Sequence, residues 1–104
     1  MPASTEKQYK ARVKVWLYPG PGGWHFVTLP KNQSEQIKVR FAGHQVGWGS
    51  LPIAATIGAT TWNTSLFPDK ASGSFLVPIK ADVRKKEGVA EGDSVTIAVE
   101  IRVG

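Results

Sequence analysis

Apolar and polar positions alternate along residues 9–17. Tyr9, Ala11, Val13, Val15 and Leu17 share one face, and Lys10, Arg12, Lys14 and Trp16 share the other. A period of two predicts a half-buried strand. The run PGPGG at 19–23 is a turn, because proline fixes φ and glycine accepts positive φ. WHFVTL at 24–29 returns as the second strand of a hairpin and stops at Pro30. In the following KNQSEQIKVRFAG, Asn32 or Ser34 is placed to cap a helix. Ile37 and Phe41 lie one turn apart on its core side, and Gly43 ends it. Strand character resumes over 51–57, with Leu51, Ile53, Ala55 and Ile57 on one face.

The second half reads the same way. TTWNTSLF (60–67) is a strand, PDKASG a turn, SFLVPIK its partner strand and ADVRKKEG a short helix. Asp82 near the start of that helix and Lys85 and Lys86 near its end match the macrodipole, and Gly88 terminates it. EGD at 91–93 turns the chain into SVTIAVEIRV, where Val95, Ile97, Val99, Ile101 and Val103 alternate with polar or small residues. Residues 17–31 also align without gaps on 66–80. Leu17 matches Leu66, Pro19 matches Pro68, Phe26 matches Phe75 and Lys31 matches Lys80, while Tyr18/Phe67 and Val27/Leu76 are near matches.

The expected fold is therefore mainly β with two short helices. It is a small closed barrel built from two duplicated β-β-α-β halves, residues 9–58 and 59–104, after a disordered lead-in over 1–8. Closure would remove the exposed sheet edges.

Composition narrows the class without choosing a function. A chain of 104 residues is one domain, and 41% hydrophobic with 20% charged residues is ordinary for a soluble protein. No apolar run reaches the roughly 18–20 residues of a membrane span, and MPASTEKQYK lacks a signal-peptide core. A cytoplasmic location is expected. The absence of cysteine excludes disulfides, zinc–thiolate sites and thiol catalysis. A formal charge of +5 and a pI near 9.8 favour anionic partners.

The segment LVPIKADVRKKEGVAEGDSVTIAVEI, preceded by GSLPIAATIGATTWNTSLFP, resembles the domain-of-unknown-function family 1905. The likeness runs from about Tyr9 to Val103. It implies a double-split barrel, a fold shared with AbrB-like transition-state regulators. Those regulators carry a similar R-K…G-D-x-V element once per chain and dimerise to complete the barrel. Here the two halves would do so within one chain, which implies a monomer.

Candidate chemistry is sparse. Lys80 and Arg84, four apart at a strand end and the next helix, could hold an anion; alternatively Arg84 pairs with Asp93 or caps carbonyls. Trp48, flanked by glycines in HQVGWGS, is placed to form a wall or lid, whereas Trp62 lies within an apolar strand and reads as core. His25 and His44 lack the spacing of a metal site, and no nucleophile-elbow pattern surrounds Ser65. PGPGG lacks the lysine and helix of a phosphate-binding loop.

The leading expectation is a non-enzymatic binding domain with no cofactor and no metal. Its cleft would be lined by Trp48, Trp62 and Ser65, with Lys80 and Arg84 anchoring a small acidic ligand. The alternatives are an AbrB-like nucleic-acid-binding regulator acting through Lys10, Arg12, Lys14 and Trp16, and an interaction or accessory domain using the Trp16–Tyr18 face.

Overall fold

The computed structural model describes residues 7–103. Most of the expected lead-in, residues 1–6, lies outside the described residues, but Gln8 already pairs with Glu100. Seven strands follow in chain order: β1 (Gln8–Lys14), β2 (Trp16–Leu17), β3 (His25–Thr28), β4 (Leu51–Ile57), β5 (Thr60–Asp69), β6 (Ser74–Pro78) and β7 (Ser94–Ile101). Helix α1 (Lys31–Arg40) lies between β3 and β4, and α2 (Ala81–Glu87) between β6 and β7. The strand order is β1-β7-β4-β5-β6-β3-β2, antiparallel throughout.

The strands make an open half-barrel, and this corrects the expected closed barrel. The order starts at β1 and ends at β2, and no ladder joins those two strands. They are consecutive pieces of one alternating segment. At Val15 the backbone leaves both ladders and pairs instead with the turn before β7. Val15 N–H donates to the Asp93 carbonyl (2.9 Å), and Gly92 N–H donates to the Val15 carbonyl (2.8 Å). The single strand expected over 9–18 is therefore split, and its two pieces serve opposite ends of the sheet.

The core follows the period-two pattern on every long strand. Tyr9 and Val13 of β1, Leu51, Ile53, Ala55 and Ile57 of β4, and Val95, Ile97, Val99 and Ile101 of β7 point inward. Trp62, Leu66, Phe75, Val77 and Val27 extend this core, and Ile37, Phe41 and Val83 cover it from the helices. Leu17 is expected in the core but is 39% exposed. It lies beyond the Val15 break on β2, which ends the strand order and has one neighbour.

Helix α1 begins after Pro30, so neither Asn32 nor Ser34 holds the N-cap position, although Asn32 Oδ1 accepts the Gln33 backbone N–H (2.9 Å) within the first turn. Ser34 is instead fully buried, and its Oγ accepts a hydrogen bond from the Phe75 backbone N–H (3.0 Å). That bond fastens α1 to β6. Helix α2 matches its expected signals: Asp82 stands in the first turn, Arg84, Lys85 and Lys86 in the last, and Gly88 closes it in the left-handed conformation (φ 64°). No helix is long and apolar enough to cross a membrane.

Candidate functional site

Strands β5, β6, β3 and β2 present their outer face as an aromatic surface. Trp16 pairs with Phe26 across β2 and β3, and Phe67 pairs with Leu76 across β5 and β6. The turn after β2 is tied by Tyr18 N–H donating to the Trp24 carbonyl (2.8 Å), which places Tyr18 beside Trp24. Trp16, Tyr18, Trp24, Phe26, Phe67, Leu76 and Asp69 line one groove of about 410 Å³. Trp24, Tyr18 and Phe67 are 55%, 45% and 41% exposed. Large apolar residues exposed together, rather than singly, mark a binding surface.

Phe26 is the hub of this surface. Its ring centroid lies 6.1 Å from Trp24 in a stacked arrangement, 5.2 Å from Trp16 at a tilt, and 6.4 Å from Tyr18 edge-on. These geometries match the attraction between ring faces and edges, and they stiffen the platform. Trp16 is held further by its Nε1–H, which donates to Thr28 Oγ1 (2.9 Å). Asp69 brings the only charge to the lining. Its Oδ2 accepts from the backbone N–H and hydroxyl of Ser72 (3.1 and 2.8 Å).

A second groove of about 270 Å³ begins on the other side of Trp24. It is lined by Gly22, Gly23, Trp24, His25, Pro78, Ile79, Lys80, Ala81 and Arg84. Lys80 is exposed at the start of α2. Arg84 is half-buried, and its Nη1–H donates to the Ile79 carbonyl (2.7 Å). Of the two roles open to Arg84, it performs the carbonyl-capping one and still borders the groove. Asp93, its other candidate partner, accepts instead from the Ala90 backbone N–H (2.9 Å).

The five residues expected to form one cleft do not meet. Lys80 and Arg84 share a groove, but Trp48, Trp62 and Ser65 do not line it. Trp62 is buried in the core, with no hydrogen-bond partner for its Nε1–H. Ser65 is half-buried on β5 opposite Pro52. Trp48 is 96% exposed at the tip of a tight turn, Gly47–Gly49, and is neither wall nor lid. Its φ of 65° makes it the one non-glycine residue in the left-handed region among the described residues.

The basic row Lys10, Arg12 and Lys14 is exposed or nearly so along β1, and Arg12 Nη1–H donates to Thr96 Oγ1 (3.2 Å). Trp16 is withdrawn from that row into the aromatic groove, so it is not free beside these cations to stack on a base. Among the described residues no group of three or more His, Asp or Glu could hold a metal ion.

Sequence reasoning missed Trp24, Phe26, Phe67, Leu76 and Asp69 as lining residues of this groove. The signal was present: a hairpin joining 16–18 to 24–26 puts Trp16, Tyr18, Trp24 and Phe26 on one face, by the same alternation that defines the strands. Phe67 needed the pairing of β3 with β6, which joins the two hairpins and is not local. An aromatic groove thus lies beside the basic pair Lys80 and Arg84, lined by aromatic residues other than Trp48 and Trp62.

No curated protein matches this chain. One family model does, over residues 12–99, which spans every strand and both helices in whole or in part. On that match the chain belongs to the family described as a domain of unknown function, DUF1905.

Proposed function

We propose that this protein is a non-enzymatic binding domain whose site is the aromatic groove together with the Lys80–Arg84 groove beside it. The carrying observation is Trp24, whose exposed ring lines both grooves and joins an apolar surface to a cationic one. A ligand with a flat or apolar body and an acidic group suits that junction. The body lies against Trp24 and Phe26 and gives up its water, while the acid meets the Lys80 ammonium and any guanidinium N–H that Arg84 does not spend on Ile79. The small acidic ligand expected from sequence therefore keeps its anchors and changes its wall.

The same reading takes residues 9–58 and 59–104 as diverged copies of one unit. It is supported by the matched residues of 17–31 and 66–80 and by the recurring order of strand, strand, helix, strand, with β1 and β2 taken as one segment. The first copy has put its hairpin aromatics on the surface, and the second has put its own mostly in the core.

The test is an NMR screen of ring-bearing carboxylates and phosphates on the labelled protein. Hits should shift the backbone signals of Trp24, Phe26, Lys80 and Arg84, and Trp24→Ala should weaken them at least tenfold. Hits that map to Lys10–Lys14 instead, or that survive both Trp24→Ala and Lys80→Ala, would overturn the proposal.

A further inference from the structure

We infer that the physiological occupant of the aromatic groove is a proline-rich segment of a partner protein, extended along the strands with a basic residue against Asp69. This rests on the reading that the groove is the binding site, and it names the class of ligand. Three observations carry it.

The first is length. Asp69 pairs with Ser74, and the β3–β6 register of Phe26 with Pro78 sets Trp24 opposite Lys80. From Ser74 to Lys80 is six residues, so the two ends of the site are separated by about 20 Å along the strands. A small head group cannot touch both ends, whereas about six residues of polyproline II, at about 3.1 Å each, can.

The second is the shape and chemistry of the lining. Five aromatic rings stand on a sheet face, with Trp24 and Phe26 stacked and the whole surface open along its length. Pyrrolidine rings lie flat on such faces. A segment already held in polyproline II also loses little conformational freedom on docking, which is why aromatic-lined grooves select it. The Trp24 indole N–H and the Tyr18 hydroxyl make no hydrogen bond among the described residues. Both are free to donate to peptide carbonyls, which proline segments leave unpaired.

The third is charge. The chain carries 13 Lys and Arg against 8 Asp and Glu, yet the aromatic groove holds one charged residue, and it is Asp69. An anion there would meet a carboxylate, whereas arginine or lysine would find its partner. At the opposite end Lys80 and Arg84 reverse the preference. The peptide that fits is basic at the Asp69 end and acidic at the Trp24 end, so charge also fixes its direction.

The experiment titrates the labelled protein with three probes. One is a capped peptide of about six prolines flanked by arginine and glutamate, long enough to span about 20 Å. Another has the same flanks around a Gly-Ser spacer, and the last is the linear oligosaccharide cellohexaose. The expected result is saturable shifts at Trp24, Phe26 and Phe67 with the proline peptide, binding at least tenfold weaker with the Gly-Ser peptide, and none with cellohexaose. Asp69→Asn should weaken the proline peptide about three- to tenfold. Because Asp69 also holds Ser72, replacing the peptide's arginine by glutamate on the unaltered protein must weaken it as much.

Equal binding of the two peptides, or binding of cellohexaose alone at these residues, would overturn the inference and leave the groove standing as a site. Silence from all three probes would overturn it too, with the ring-acid screen deciding the site separately. Shifts confined to surfaces outside the groove, unaffected by Trp24→Ala, would remove both readings.

Discussion

Two hairpins of this protein share a spacing and differ in what they do with it. In β2–β3, Leu17 is 39% exposed, Phe26 half-buried and the neighbouring Tyr18 and Trp24 open to solvent. In β5–β6, their counterparts Leu66 and Phe75 have no exposure, and only Phe67 stays outside. The residues are alike, so their chemistry does not explain the difference. Position and face do. β5 sits in the middle of the strand order with neighbours on both sides, while β2, which carries Leu17, ends the order and has one neighbour. Phe26 and Phe75 differ by face: Val27 pairs with Val77 and Thr28 with Leu76, so Val27 and Phe75 turn inward while Phe26 turns outward into the groove. The same hydrophobic spacing serves stability on the inner face and is available for binding on the outer one.

The sharpest way to break this comparison is to truncate the matched leucines. Leu66→Ala should cost about 2–5 kcal/mol in urea unfolding, since a fully buried leucine leaves a cavity. Leu17→Ala should cost less, about 1 kcal/mol, since Leu17 is 39% exposed and loses less burial than Leu66. Equal losses would mean that β2 is as integral to the core as β5.

Next in size is the fastening between α1 and the second hairpin. Ser34→Ala leaves the Phe75 N–H buried without a partner and should destabilise by about 1–3 kcal/mol, read by the same unfolding. Ser34→Thr, which keeps the hydroxyl, separates loss of the bond from steric change: a loss no smaller than that of alanine would show that packing, not the bond, matters here.

A smaller effect with opposite sign is expected at the solvent-facing turn. Trp48→Gly removes a side chain from a left-handed backbone position and should raise stability by about 1 kcal/mol. Trp24→Ala should move stability least among the aromatic changes, by under about 1 kcal/mol, because more than half of the ring is already hydrated. It should nevertheless abolish ligand-induced shifts in the groove. That combination, binding lost and stability kept, is what distinguishes the outer hairpin from the inner one.

The basic row on β1 offers a final contrast. Lys10→Ala with Lys14→Ala should leave groove ligands unaffected. Any retention of duplex DNA in a mobility shift should vanish between low and physiological salt, because two or three phosphate contacts bind weakly even at low salt and salt weakens them further. Retention at physiological salt would restore the nucleic-acid reading despite the withdrawal of Trp16.

Much of the architecture is written locally in this chain. The alternation over 51–57 and 94–101, the turn at 19–23 and the closing Gly88 specify strands and helix ends through short-range geometry, and the structure keeps them nearly at the expected residues, whereas the alternating run 9–17 is split at Val15. The helix-capping expectation at Ser34 failed for the opposite reason. A serine near a helix start has two available donors, its own helix and whatever packs against it, and only the approach of β6 selects the second.

The site follows the same division. Lys80 and Arg84 were legible because four residues of helical spacing bring them together. Trp48 and Trp62 were placed in the cleft because aromatic residues carry no local mark of burial. Flanking glycines gave Trp48 a turn that projects it into solvent, and the interior face of β5 took Trp62 into the core. The sequence by itself determined which segments are strands, which face of each is apolar, and that a basic pair follows the second hairpin, because these depend on contacts a few residues apart. Tertiary structure alone decided that the barrel stays open at Val15, that one hairpin lies at the edge and its likeness at the centre, and that Trp24 joins an aromatic groove to a cationic one. Those outcomes depend on long-range strand order, and no residue's neighbours in the chain report which strand will lie beside it.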